Sequence, residues 1–452
     1  MLKFFIALYF IVAGFKSFGQ NNVLFSSKDY ITALKQVTNI MVDDVTSPVA
    51  ASRYYTYVTL ATNEVQHIFN PGVFSFSAVL KHFSPVTADT FLVKQADVSL
   101  TTVYTVLKMG QQLLPSGYLL QSPAEAVLKE ATKKGMSTQK VAHSKMLADA
   151  VLQQILNYAQ ADGFKNLSGY PKYKPQNGQG YWQPTEPAFM AAVEPHWNRL
   201  RTFILDSAQQ IKPLSPAVFD TNANSVFYKQ LYEVYNVCNR LSKEQKAVAQ
   251  FWDCNPFALQ QIGHVEFGLK KISPGGHWIG ITGIACLKNK TPLQQTVFIH
   301  TLVAITLADA FISCWDEKYR SNRIRPETAI NKWIDPRWKP LLQTPPFPEY
   351  TSGHSVISAA AAAVLTNFFG DHFSFTDHTE KEFGLPARKF KSFLQASQEA
   401  AVSRLYGGIH YRDAIENGVI QGQQVGKYII QKIEKNNNAH VYTRAYEGVV
   451  NF

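Results

Sequence analysis

Between Trp315 and Asp413 the chain carries three separated blocks: Lys318-Tyr-Arg-Ser-Asn-Arg-Ile-Arg325-Pro326, then Ser352-Gly353-His354, then Ser403-Arg404-Leu-Tyr-Gly-Gly-Ile-His410. None is specific alone. Together they supply the fixed cations Lys318, Arg325 and Arg404, the Ser352 hydroxyl, the Gly353 N–H at a helix start, and the histidines His354 and His410. Lysine and arginine neutralise the oxygens of an oxyanion, and a helix N-terminus adds N–H donors and a favourable dipole. One histidine can bond the central atom of a tetrahedral or trigonal-bipyramidal anion, and the other can move a proton. Taken singly, the three cations would be solvated surface groups. Cations converging from separate elements repel one another unless an anion lies between them, so the set reads as an anion cage. Gly at 353 lets the backbone approach that anion closely.

Working outward, the blocks fall on helices. Thr291-Pro292 opens a long apolar helix that delivers Trp315 and Lys318 near its end. Residues 332–350 are Pro-rich loop, and Ser352 opens a helix through Phe369 whose alanines permit close backbone packing. A helix over Lys389–Leu405 ends at Gly407-Gly408, and Asp413 reads as the cap of a final helix to about Lys435. Upstream, apolar spacing predicts helices at Val37–Val42, Tyr54–Phe69, Phe91–Met109 and Lys140–Ala159. Others follow at Asn224–Leu241, at Lys243–Trp252 with Ser242 as N-cap, and at Trp278–Leu287 after a Pro274-Gly-Gly break. Gly163–Thr185 is a long loop that would wrap the surface. Strand alternation is scarce. The expectation is an all-α helical bundle with at most a short hairpin. An N-terminal helical domain would span 20–215 and a C-terminal core domain 216–436, followed by a tail over 437–452.

Hydrophobic residues make up 46% of the 452 and charged residues 17%, a globular balance that excludes a disordered chain. The formal charge is +11, but the lysines are scattered and no run of five like charges occurs. A nucleic-acid or lipid-binding surface is therefore not expected. Lys3, the apolar stretch Phe4–Phe15, and the small residues Ser17 and Gly19 before Gln20 read as a secretory signal over residues 1–19. The expected address is periplasmic or secreted. The apolar run Val297–Cys314 contains His300 and Asp309 and suits a buried helix rather than a membrane span. Export permits disulfides among Cys238, Cys254, Cys286 and Cys314, whose spacings fit no zinc pattern.

The pattern Lys-x6-Arg-Pro, Ser-Gly-His, Ser-Arg-x5-His resembles the superfamily of type 2 phosphatidic acid phosphatases, bacterial acid phosphatases and vanadium-dependent haloperoxidases. Within it, the chain is most similar to bacterial vanadium haloperoxidases, particularly the iodoperoxidases of marine flavobacteria. That finer resemblance rests on Trp315, on Phe347 in Pro345-Pro-Phe-Pro-Glu-Tyr-Thr-Ser-Gly-His354, and on Tyr406-Gly-Gly-Ile-His-Tyr-Arg412. Gly180-Tyr-Trp-Gln-Pro-Thr185 and Pro274-Gly-Gly-His-Trp278 add to it. It covers roughly residues 180–435.

The resemblance implies vanadate, and no haem, held by Lys318, Arg325, Ser352, Gly353, Arg404 and His410. His410 would be the axial ligand to vanadium. His354, at the apical oxygen, would manage the peroxide proton, and Lys318 would polarise the peroxide. Trp315 and Phe347 would line the halide side. The substrates would be hydrogen peroxide and a halide, with iodide favoured over bromide. The family often carries an acid four residues after the ligand histidine, where this chain has Ala414; whether Asp413 or Glu416 orients His410 stays open. Asp316 and Arg323 are candidate supporting residues, and His277 and Trp278 have no assigned role. The same site in a soluble periplasmic acid phosphatase would pass through a phosphohistidine at His410, and a non-catalytic anion-binding protein would need the cage alone. Trp315, the large N-terminal half and the lack of several spanning helices favour the haloperoxidase.

Overall fold

The computed structural model describes residues 24–262 and 265–436; the expected signal segment and the tail over 437–452 lie outside the described residues. Six helices come first: α1 (Ser27–Asp43), α2 (Pro48–Phe69), α3 (Thr90–Gln95), α4 (Val98–Leu113), α5 (Gln121–Lys133) and α6 (Thr138–Gln160). After a long irregular segment come α7 (Val226–Asn239), α8 (Lys243–Phe251) and an antiparallel hairpin, β1 (Leu259–Ile262) with β2 (Val265–Gly268). Then follow α9 (Pro274–Lys288), α10 (Leu293–Ser321), α11 (Pro326–Trp333) and α12 (Gly353–Phe369). A second short hairpin, β3 (Phe375–Asp377) with β4 (Arg388–Phe390), precedes α13 (Phe393–Tyr406) and α14 (Arg412–Asn436). The all-α expectation holds, with two small hairpins.

Local chemistry moved several boundaries. The stretch expected as one helix over Phe91–Met109 breaks at Asp97, whose Oδ1 accepts from Ser99 N and Leu100 N at 3.0 Å each and caps α4. Pro274-Gly-Gly is the first turn of α9 rather than a break, because Ser273 Oγ accepts from Gly276 N. Pro292 sits one place earlier than expected, at the N-cap of α10. The helix expected from Lys389 starts at Phe393, since Arg388–Phe390 pairs as a strand and Ser392 caps the turn that follows. The four cysteines are free thiols, so the disulfides that export would permit are not formed among them.

Helix α10 is the axis. It is long and apolar enough to cross a membrane, yet its apolar window is wholly buried inside the protein. Helix α2 lies along it, with Thr56 Oγ1 donating to Ala304 O and Thr301 Oγ1 to Thr59 O, both at 3.0 Å. One hydrophobic cluster runs from Phe25 to Ile433 and draws on both halves of the chain. Asp309, odd in an apolar helix, accepts from the backbone N–H groups of Phe203, Ile204 and Leu205 at 2.7–2.8 Å and so anchors the irregular segment. On the other side, α14 lays Gly418, Gly422 and Gly426 against α12. A Cβ at Gly422 would stand 2.0 Å from the Val356 carbonyl, so only glycine allows this approach, and the alanines of α12 accept it.

Candidate anion site

Each charged residue of the cage is delivered by the end of a helix. Asn322, at φ +50°, terminates α10 in the left-handed conformation and turns the chain past Lys318. Arg325 is then the N-cap of α11, with Pro326 at its first position. The loop that would wrap the surface does so here: Trp182 N donates to Asn322 O and Ile324 N to Gly180 O, both at 2.9 Å, clamping the segment between the two cations. Ser352 caps α12, its Oγ accepting from Ser355 N at 3.3 Å. Arg404 lies in the last turn of α13, and His410 follows the positive-φ Gly408 in the link to α14.

These elements converge on one cleft, lined by Trp315, Phe347, Gly353, His354, Arg404 and His410 among others. Lys318 and Arg325 stand just behind its wall. The Lys318 ammonium donates to the Pro348, Glu349 and Thr351 carbonyls at 3.1, 3.1 and 2.5 Å and sits 5.1 Å from the Phe347 ring centre. Arg325 donates to Phe347 O and Ile409 O at 2.9 Å, and its Nη1 faces His410 Nε2 at 3.2 Å. Arg404 donates to Trp252 O at 2.7 Å. Trp315 and Phe347 pack with ring centres 4.9 Å apart, and the place of a Cβ on Gly353 lies 3.7 Å from Trp315.

No carboxylate contacts Lys318, Arg325 or Arg404 through a hydrogen bond or ion pair among the described residues; their partners are carbonyls, the Ser403 hydroxyl and the His410 ring. Burial lowers all three pKa values, Lys318 to about 8 and Arg325 to about 10, because the charged forms lose more by leaving water than Glu349, Glu317 and Asp253 return from a distance. Burial and the neighbouring cations also hold both histidines well below the usual imidazole range, so both are neutral.

His410 is oriented by Glu349. Its Nδ1 donates to Glu349 Oε1 at 2.8 Å, which leaves the Nε2 lone pair facing Arg325 and the cleft. Glu349 also accepts from Tyr411 N at 3.0 Å and from Arg323, while burial pushes its carboxyl up to about 7. This answers the question left between Asp413 and Glu416: neither holds the ring. Asp413 is not a simple helix cap either; it accepts from Arg323 at 2.6 Å and from Ala217 N at 3.0 Å, and Glu416 pairs with Arg412. Arg323 therefore supports the site through Glu349. Asp316 does not; it binds Asn198 and Arg320 away from the cleft. Glu349 lay within the quoted motif, and its only sequence signal was an acid in an otherwise apolar loop next to Ser-Gly-His. The Trp252 carbonyl, which serves Arg404 and also the His354 ring, had none. His277 and Trp278 find a place beneath it, with His277 stacked on the Trp252 indole at 4.6 Å.

The residues fit a bound oxyanion on observations that an empty scaffold does not explain. His354 Nε2 is buried without a partner. The His410 Nε2 lone pair has only a cation before it. Lys318, Arg325 and Arg404 have no carboxylate in direct contact among the described residues; Glu349, Glu317 and Asp253 act on them only from a distance. The fold and site thus define an all-helical protein built around a phosphate- or vanadate-sized anion cage.

A family model, the VCPO second helical-bundle domain, matches residues 298–439. Among solved structures the chain is similar to a bacterial vanadium-dependent iodoperoxidase, with 43% identity over 90% of this chain and 97% of that one, and a TM-score of 0.85. The holo and apo forms of a bacterial vanadium-dependent chloroperoxidase share the fold at 14% identity. They cover 87% and 86% of this chain, and 94% and 95% of theirs, with TM-scores of 0.64 and 0.65. No curated protein matches. The chain belongs to the vanadium-dependent haloperoxidases.

Proposed function

We propose that this protein oxidises iodide with hydrogen peroxide, H2O2 + I− + H+ → HOI + H2O, using vanadate held by Lys318, Arg325, Ser352, Gly353, Arg404 and His410. The observation that carries the reading is His410: a neutral imidazole with Nδ1–H fixed on Glu349 and its Nε2 turned to the cleft with Arg325 Nη1 as its partner. Vanadate, when bound, activates peroxide toward two-electron oxidation of a halide without changing its own oxidation state. The chain supplies the rest. Lys318, Arg325 and Arg404 neutralise the anion and draw electron density from its oxygens. Neutral His354, with Nε2 unpartnered, takes the proton from arriving peroxide and returns it to the departing oxygen. The Trp315–Phe347 wall excludes water and offers a polarisable face to a large, soft halide. The likeness to an iodoperoxidase supports iodide. The apolar stretch Phe4–Phe15 behind Lys3 supports an exported protein beginning near Gln20, which N-terminal sequencing of the mature chain checks.

The test is purification without phosphate, addition of orthovanadate, and parallel assays of peroxide with iodide, bromide or chloride and of a phosphate ester. Vanadate should raise iodide oxidation and excess phosphate should abolish it, since both anions fill one cage. Phosphate-ester hydrolysis with no vanadate-dependent halide oxidation would overturn the proposal in favour of a phosphatase using the same His410.

A further inference from the structure

Behind the cage, and reaching its wall through Cys254, lies a second cluster drawn from three distant parts of the chain. Cys254 Sγ stands 3.3 Å from His277 Nδ1 and 3.7 Å from Glu380 Oε1, and His277 Nδ1 is 3.1 Å from Glu380 Oε1. The far ring nitrogen, His277 Nε2, is 2.7 Å from Asp377 Oδ2. All four residues are buried.

The two ring nitrogens are engaged differently. The Nε2–Asp377 distance is that of a charge-assisted hydrogen bond, about 2.7–2.9 Å. The contacts at Nδ1, to the Cys254 sulfur and the Glu380 carboxylate, are longer, and the thiol's own donation to Glu380 Oε1 is longer still at 3.7 Å. A tetrahedral zinc ion with usual bond lengths, about 2.3 Å to sulfur and about 2.0–2.2 Å to nitrogen and oxygen, sets its ligand atoms about 3.4–3.6 Å apart. The three edges of the Cys254–His277–Glu380 triangle lie within a few tenths of an ångström of that. A carboxylate on the other nitrogen of a ligand histidine is the arrangement that fixes its tautomer and raises its basicity in zinc sites.

We propose that Cys254 Sγ, His277 Nδ1 and Glu380 Oε1 bind one zinc ion, with water in the fourth position and Asp377 as the orienting partner of His277. Binding displaces the thiol proton of Cys254 and any proton on His277 Nδ1, and those protons leave to solvent. Cys254 lines the cleft, which gives the ion its route in. The ion would brace the anion cage from behind. Trp252, two residues before Cys254, stacks on His277, and its carbonyl holds Arg404.

The experiment uses the full chain with the anion site saturated by vanadate. Protein expressed in zinc-supplemented medium is analysed for metal by mass spectrometry. Chelator-treated protein is then titrated with Co2+ and followed by absorption. The expected results are one zinc per chain and a thiolate-to-cobalt charge-transfer band that Cys254→Ser removes. Asp377→Asn should keep the band and weaken metal affinity about 10–100-fold. A wild-type chain that takes up no stoichiometric zinc and binds cobalt without the thiolate band overturns the proposal. That wild-type measurement decides the matter even if a variant fails to fold.

Discussion

Two buried clusters of positive charge stand in contrast. In the N-terminal half, Arg53 is closed off: its Nε lies 2.5 Å from Asp162 Oδ2, its Nη2 donates to Ala159 O, and Tyr57 Oη donates to the same carboxylate at 2.9 Å. In the C-terminal half, Lys318, Arg325 and Arg404 are equally buried and have carbonyls, a hydroxyl and rings for company. The contrast repeats at short range, since Arg323, two residues from Arg325, is neutralised by Asp413 and Glu349. A cation with its carboxylate in place contributes to the fold and has nothing left to bind. A cation surrounded by neutral dipoles tolerates burial poorly until an anion arrives, so its cost to the empty fold is the source of its affinity.

The largest effects should come from the two histidines that separate ligand from proton carrier. His410→Ala should lose most bound vanadate, measured by metal analysis after dialysis, and its activity with it. His354→Ala should retain vanadate and lose about 10²–10⁴-fold in turnover, the usual contribution of general acid–base catalysis. Equal vanadate loss in both variants would reverse the assignment. Arg53→Met tests the closed cluster. Leaving Asp162 buried without its cation should cost about 3–5 kcal/mol in denaturant unfolding. Anion at a hundred times its dissociation constant should still stabilise this variant by about 2.7 kcal/mol, as in the wild type. An anion increment that disappears with Arg53 would mean the two clusters are coupled.

The pH dependence of the anion-free protein should expose the open cluster. Lys318 titrates near 8 in the folded chain against an ordinary 10.5. Between those values the unfolded chain binds more protons, so unfolding free energy should rise with pH by up to about 3 kcal/mol across that window. Bound vanadate should flatten the rise by holding the ammonium charged. A flat profile in the anion-free protein would show that Lys318 keeps its charge without an anion. Glu349→Gln should have the smallest effect. It preserves the shape of the His410 contact and removes its charge, and should weaken vanadate about 10–100-fold, in the manner of carboxylates behind metal-bound histidines. Unchanged affinity would deny Glu349 its part.

Much of the cage was legible because its parts are local. Ser352 caps a helix, Pro326 starts one and Gly408 turns the chain, and each reports its structure within a few residues of itself. The order of the three blocks carries the cation set, the Ser352 hydroxyl and both histidines. Boundaries were missed where a neighbour decided them. Lys389 has helical company in sequence, yet it pairs with Thr376 across a hairpin.

What the sequence carried by itself was therefore the all-helical class, the candidate residues of the cage and the family they resemble, since helix periodicity, caps and short motifs are encoded over a turn or two. Only the tertiary structure decided which acid holds His410. Glu349 lies 61 residues before it, whereas the nearer acids Asp413 and Glu416 turn to Arg323 and Arg412. It likewise decided that Cys254 meets His277 and Glu380, 23 and 126 residues further along the chain. The reason is geometric: spacing along a helix fixes the face a side chain takes, but its partner depends on how that helix packs against the others, and that packing is set by the whole core at once.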